Sequence, residues 1–367
     1  MAGFHHTKAT NGQARITRLS AFALLTICCV FALGCGQGAA VPGAEDAVVV
    51  ALTPQPTATP EPTATPEPTP DPAMEPFTIA WLGDTQSYAS TYPEQFDTMT
   101  KWVVDNREEY NIQYVVHTGD IVNEPRSTEE WEAARVALSR FTGVLPFFSV
   151  AGNHDLIGVL THTGQDYTPY AALMEELNCG DTPTLAGMEE NWRRRYDLLT
   201  IGDEDFIFIG VGYGLIHADY DWLNEILAKY PERTSVLITH YYLDFDGVCR
   251  EEGKHILRRV VNNNPNIKYV LCGHRHRVQH VVQDIDVELD RKVDWNVYAL
   301  MNDYQGYENG GGGYLVLLTF DPKDREIRVT SYSPVLDDFN YFEDETIETY
   351  TLPYLTLSGP MPTPLAE

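Results

Sequence analysis

Basic side chains are scarce in this chain. Against 53 aspartates and glutamates stand only 25 lysines and arginines, a formal charge of −28 over 367 residues. That imbalance argues against nucleic acid or an anionic membrane surface as a general partner. It leaves a phosphate substrate open, because bound cations can reverse the local field inside a cleft. Cysteine is also sparse, with six in all. Three lie at or before Cys35, and the remaining Cys179, Cys249 and Cys272 are odd in number, which excludes full pairing. Cys272 sits in an apolar run and reads as a buried thiol, while a Cys179–Cys249 bridge stays open. No apolar run reaches the ~20 residues of a comfortable membrane span. Hydrophobic residues at 43% and aromatics at 11% are nevertheless ample for a core, so global disorder is excluded and one large or two modest domains are expected.

The first 76 residues read as delivery rather than fold. Lys8, Arg15 and Arg18 precede the apolar stretch LSAFALLTICCVFALG (19–34), the basic-then-hydrophobic order of a signal peptide. Gly34 and Cys35 close it in a way that resembles the lipobox of bacterial lipoproteins, with Ala32 where leucine is usual. The resemblance implies a signal peptide over 1–35, lipidation at Cys35 and a membrane anchor. Cleavage after Ala40, giving a freely secreted protein, is the alternative. Residues 36–76 read as a disordered linker in which TATPEP occurs twice, at 57–62 and 63–68. Proline at that density gives an extended spacer without the amide donors for a sheet. The expected location is outside the cytoplasm, on a cell surface or in a periplasm.

From residue 77 apolar runs alternate with helical spacing. FTIAWLGD precedes a helical pattern at 93–110 that places Phe96, Met99, Trp102 and Val103 on one face. IQYVVHTGD precedes a helix from about Ser127, whose Ser127 and Glu130 stand at capping-box spacing. LPFFSVAGNHD, EDFIFIGVGY, SVLITHYY and IKYVLCGH continue the series. The last runs (NVYALM, GGGYLVLLTFDP and EIRVTSYSP) lack intervening helices. The pattern predicts an α/β fold over 77–335 with crossover units, the late strands forming an antiparallel second sheet against the first. Residues 336–367 read as a C-terminal extension with a frayed tail.

Five of these runs end in groups that bind metals: Asp84; Asp120; Asn153 with His154 and Asp155; His240; His274 with His276. One Asp after a strand is explained by helix capping, but five such ends in succession are not. Carboxylate and amide oxygens beside imidazole nitrogens suit divalent cations. Gly83, Gly119, Gly152 and Gly273 each precede a candidate, as expected where the chain turns sharply. His117, inside an apolar run, reads as a core histidine. Arg275 reads as either a phosphate contact or a surface ion pair.

The blocks GDTQ, GDIVN, GNHD, THYY and GHRH, in this order, resemble the signature of the calcineurin-like metallophosphoesterases over about residues 77–335. The resemblance implies a four-layer αββα sandwich of two mixed sheets around a dinuclear centre of two divalent ions (Mn, Fe, Zn or Mg). One ion would be held by Asp84, Gln86, Asp120 and His276. The other would be held by Asp120, Asn153, His240 and His274, with Asp120 bridging. His154 would serve the substrate and Asp155 would orient its ring. Gln86 departs from the family's usual histidine, and an uncharged oxygen donor there shifts preference away from zinc. The implied activity is hydrolysis of a phosphomonoester or phosphodiester by water activated between two ions about 3.5–4 Å apart. Gln86 also motivates the alternative of a non-catalytic binding protein on the same scaffold. No specific nucleic-acid binding is expected.

Overall fold

Every residue of the first strand, β1 (Phe77–Leu82), is buried, and the alternation of its side chains between two faces sets the layers. In this computed structural model, which describes residues 75–161, 163–189 and 191–357, Phe77, Ile79 and Trp81 point into a core between two sheets. Ala80 and Leu82 face the other way, onto helices. The expected signal peptide, lipid-bearing cysteine and linker lie outside the described residues.

Two crossovers follow β1. Helices α1 (Gln86–Thr91) and α2 (Pro93–Asp105) lead to β2 (Ile112–His117), and α3 (Thr128–Leu138) leads to β3 (Phe147–Ser149). The three strands are parallel. Phe96, Met99 and Val103 of α2 are buried on the sheet as their spacing predicts. Ser127 caps α3 by accepting from Glu130 N at 3.2 Å. Only half of a capping box forms, because the Glu130 carboxylate accepts instead from Asn123 N at 2.7 Å and Glu124 N at 2.9 Å.

After α4 (Thr168–Glu176), the strands β4 (Leu185–Glu189), β5 (Arg194–Ile201) and β6 (Glu204–Val211) begin the second sheet. It continues through α5 (His217–Lys229), β7 (Thr234–Thr239), α6 (Glu251–Arg259), β8 (Ile267–Cys272), β9 (Val278–Ile285) and β10 (Trp295–Asn302). Its order is β4-β5-β6-β7-β8-β10-β9, with β6, β7, β8 and β10 parallel. Phe206 and Phe208 of β6 face the inter-sheet core, whereas Ile207, Ile209 and Val211 face α5 and α6. Each such side chain contributes about 1.5–3 kcal/mol by leaving water. Four layers result: helices, sheet, sheet, helices.

The late strands do not form a sheet of their own. β10 joins β8, while β11 (Leu315–Asp321) crosses to the first sheet and pairs antiparallel with β1; β12 (Glu326–Ser333) follows it. Both sheets are therefore mixed. The ordered body also runs past residue 335. β13 (Asp338–Phe339) and β14 (Tyr350–Pro353) pair with β12, and Tyr354 and Leu355 are buried between the sheets. The 336–367 boundary is corrected accordingly. Cys179, Cys249 and Cys272 are all free thiols, so no Cys179–Cys249 bridge forms; Cys272 is buried as expected.

A buried ion pair within β5 faces the first sheet. Arg195 and Asp197, 1% and 0% exposed, bond through Nε–Oδ1 at 2.8 Å and Nη2–Oδ2 at 3.0 Å. Tyr114 and Thr184 hydroxyls also donate to Oδ2, each at 2.7 Å. Asp197→Ala leaves the guanidinium uncompensated and is expected to cost about 3–5 kcal/mol. A urea midpoint within error of wild type would refute that account.

Candidate metal centre

The parallel strands of both sheets finish along one edge of the sandwich, where open α/β sheets collect their binding groups. β1, β2 and β3 deliver the loops with Asp84, Asp120 and Asn153; β7 and β8 deliver those with His240 and His274. The turns are tighter than glycine alone provides. Asp120, His274 and His276 themselves take positive φ, at 52°, 78° and 49°. Asp and His are among the few side chains that tolerate this region. Gly152 and Gly273 instead make room: a Cβ on Gly152 would strike the Asp120 carboxylate, and one on Gly273 the Asp84 carboxylate.

The tightest cluster is Asp120, His240 and His274, whose ligand atoms lie within 4.8 Å of one another. His240 Nδ1 donates to Thr118 O at 2.9 Å, which leaves Nε2 facing the cluster. That nitrogen is 3.3 Å from Asp120 Oδ2, 3.1 Å from Asn153 Oδ1 and 3.1 Å from His274 Nδ1. These separations suit donors set about one ion at roughly 2.0–2.2 Å. Burial works against ionisation of Asp120, but His240 and His154 outweigh it and hold the carboxyl at about 2. Burial likewise opposes a charge on His240, yet Asp120 lifts it to about 8. Burial and the neighbouring His240 bring His274 down to about 3.

Asp84 stands beside this group and accepts from His274 N at 2.9 Å through Oδ2. Its Oδ1 is buried without a partner. Burial, then the charges of Asp303 and Asp120, push its carboxyl well above the usual range. Hydrogen bonding turns the Gln86 amide nitrogen to Asp120 Oδ2 and O, both at 3.2 Å, and its oxygen to Gln305 Nε2 at 3.0 Å. The opposite orientation sets two oxygens face to face at 3.2 Å, an arrangement that needs a cation between them. His276 is exposed, and among the described residues its ring lies outside the one three-residue cluster.

His154 is half-exposed. Its backbone N donates to Asp120 Oδ1 and its Nδ1 to Asn123 O, both at 2.8 Å. The ring is thus oriented by a backbone carbonyl, which corrects the expected role of Asp155. Asp155 is fully buried and accepts from Ile121 N at 2.8 Å, Val122 N at 3.1 Å and Gly152 N at 2.8 Å. It clamps the Asp120 loop to the Asn153 loop. Burial and the Asp120 charge push its carboxyl up to about 7 against these donors. His117 is buried, accepts from Gly119 N at 3.1 Å and bonds Thr85 Oγ1 at 3.0 Å. Arg275 bonds the Tyr241 hydroxyl at 2.8 Å and pairs with Asp244 at 3.4 Å, so an ion pair restrains it.

Sequence reasoning missed Asp303. It follows β10, is fully buried, and accepts from His276 N at 2.6 Å and Gln305 N at 3.1 Å. The rule that found the other five would have found it, since NVYALM also runs into Asn302 and Asp303. The donor set fits divalent cations on two counts: two carboxylates with two imidazoles, and the unpartnered Asp84 Oδ1.

Several known proteins are similar to this chain. Residues 77–278 match the model of the calcineurin-like phosphoesterases. YvnB of Bacillus subtilis is 35% identical over 275 residues, spanning 75% of this chain and 21% of that protein. The 3′,5′-cyclic adenosine monophosphate phosphodiesterase CpdA of Escherichia coli K12 is 26% identical over 216 residues, or 57% of this chain and 65% of that enzyme. The purple acid phosphatase PPD1 from yellow lupin seeds superposes with a TM-score of 0.48 at 14% identity, covering 81% of this chain and 58% of that one. This chain thus spans about a fifth of YvnB and under two thirds of CpdA. With the family model covering more than half the chain and its motifs meeting at one edge of the sandwich, the protein belongs to the calcineurin-like phosphoesterases.

Proposed function

We propose that the protein hydrolyses phosphate esters with divalent cations held at the strand-end cluster. The observation that carries this reading is the convergence of Asp120, His240 and His274 within 4.8 Å, beside the partnerless Asp84 Oδ1. Asp120, Asn153, His240 and His274 would hold one ion. Asp84, Asp120 and Gln86, after rotation of its amide, would hold the second, with His276 joining only if its ring swings inward. Such ions supply Lewis acidity toward phosphoryl oxygens and acidify water.

The protein's own groups then do the rest. His240 is fixed by Thr118 O, so its Nε2 lone pair needs no reorientation on binding. His154 is held through Nδ1 by Asn123, which Glu130 braces through the adjacent backbone amides. Its Nε2 is thereby available to exchange a proton with the departing oxygen. Such general acid–base help contributes about 10²–10⁴-fold. We place the activity outside the cytoplasm, on a stalk and lipid anchor, from the sequence of residues 1–76 alone.

Protein stripped by chelator and refilled singly with manganese, iron, zinc or magnesium is expected to hydrolyse bis-p-nitrophenyl phosphate or its monoester. Ion binding by calorimetry with silence toward both esters would favour the non-catalytic binding protein. His154→Ala should lower kcat about 10²–10⁴-fold while ion affinity stays at wild-type strength; a parallel loss of affinity would contradict the assigned role. Asp155→Ala should weaken ion binding about 10–100-fold, measured by competition with a fluorescent chelator. An unchanged affinity would show that the clamp is dispensable.

A further inference from the structure

A cleft of about 920 Å³ opens beside Asn153, lined among others by Leu160, Gln165, Tyr213, Ile216 and Glu252. It is coupled to the metal centre by short contacts. Tyr213 N donates to Ala151 O at 2.8 Å, and the Tyr213 ring lies 5.9 Å from that of His240 and 5.5 Å from that of His274. The segment carrying Tyr213 is held from both sides. Glu252 Oε2 accepts from Gly214 N and Leu215 N at 2.8 Å, while Gln165 Nε2 and Arg193 Nη2 donate to Gly214 O at 2.9 Å and 2.8 Å. The second Glu252 oxygen, Oε1, is buried and has no hydrogen-bond partner. A buried acceptor left unmatched is unfavourable, and a donor arriving with a ligand would relieve it. Burial raises the Glu252 carboxyl to about 7 against the two backbone donors.

We propose that this cleft takes the organic group of a phosphate ester that presents an N–H donor, with Glu252 as the acceptor that recognises it. The proposal rests on the phosphoesterase reading and adds its substrate class. Leu160, Ile216 and the Tyr213 face supply apolar contact, so the donor is an amine carried on a carbon framework. An alkylammonium and the exocyclic amine of a nucleobase share this chemistry. A nucleobase would also stack on Tyr213.

The full-length protein would be assayed on two matched pairs of p-nitrophenyl phosphodiesters. One pair is 2-aminoethyl against 2-hydroxyethyl; the other is adenosine 5′-phosphate against the purine riboside lacking the amino group. A preference of about tenfold or more for the amine in one pair is expected, and the pair that shows it identifies the source. In Glu252→Gln, which keeps an oxygen for Gly214 and Leu215, the preference should collapse to within about twofold of unity. No preference in either pair, or one that survives the substitution, overturns the proposal and reduces Glu252 to a loop clamp. Calorimetry with phosphoethanolamine and adenosine 5′-monophosphate against their amine-free counterparts reads the same selectivity without turnover. Hydrolysis of bis-p-nitrophenyl phosphate, which has no amine, reports separately on the phosphoesterase reading.

Discussion

The geometry at the sandwich edge depends on one carboxylate whose hydrogen bonds go to main-chain amides. Asp155 gathers three backbone N–H groups from two loops and so fixes where the chain leaves β2 relative to where it leaves β3. Asp120 and Asn153 ride on those loops. The same fixing carries to His154, whose amide bonds Asp120 and whose ring bonds Asn123. A carboxylate spending its lone pairs on main chain in a dry setting is rigid, because every alternative arrangement strands buried donors.

Rigidity is needed because the site is crowded with conformations and charges that do not favour themselves. Three residues in the strand-end loops hold left-handed backbone, at about 1–3 kcal/mol each, and Asp84, Asp120 and Asp303 are buried side by side. Gly152 and Gly273 permit the approach by lacking a Cβ. The surrounding layers of Phe, Ile and Val offset this cost, and the cations proposed for the site would turn the carboxylate repulsion into attraction.

Much of this was legible in the sequence, and the boundaries of that legibility have physical causes. Strand ends could be read because an apolar run stopping at Asp, Asn or His is a local pattern. The α/β class followed from apolar runs alternating with stretches of helical spacing. β4 and β9 escaped because they are only partly buried, so no apolar run marks them. β14 was hidden by its length and by Pro353, which an edge strand tolerates. The role of Asp155 was misassigned because its partners are backbone amides, which carry no side-chain signature. That Gln86 faces Gln305 was beyond reach, as the pair is joined only by the three-dimensional meeting of β1 and β10.

The pairing of β11 with β1 has a consequence for how the molecule comes into being. Phe77 opposes Phe320, so the central strand of the first sheet waits for nearly the whole body before its second edge is covered. Until then β1 presents bare amides along its open side beside aromatic residues, the kind of edge that recruits other chains. Closing so long a loop is also slow compared with forming helices. The nascent protein therefore passes through a stage at which its ligand loops exist but its first sheet is open on one side, and conditions during synthesis decide how much of it reaches the native state.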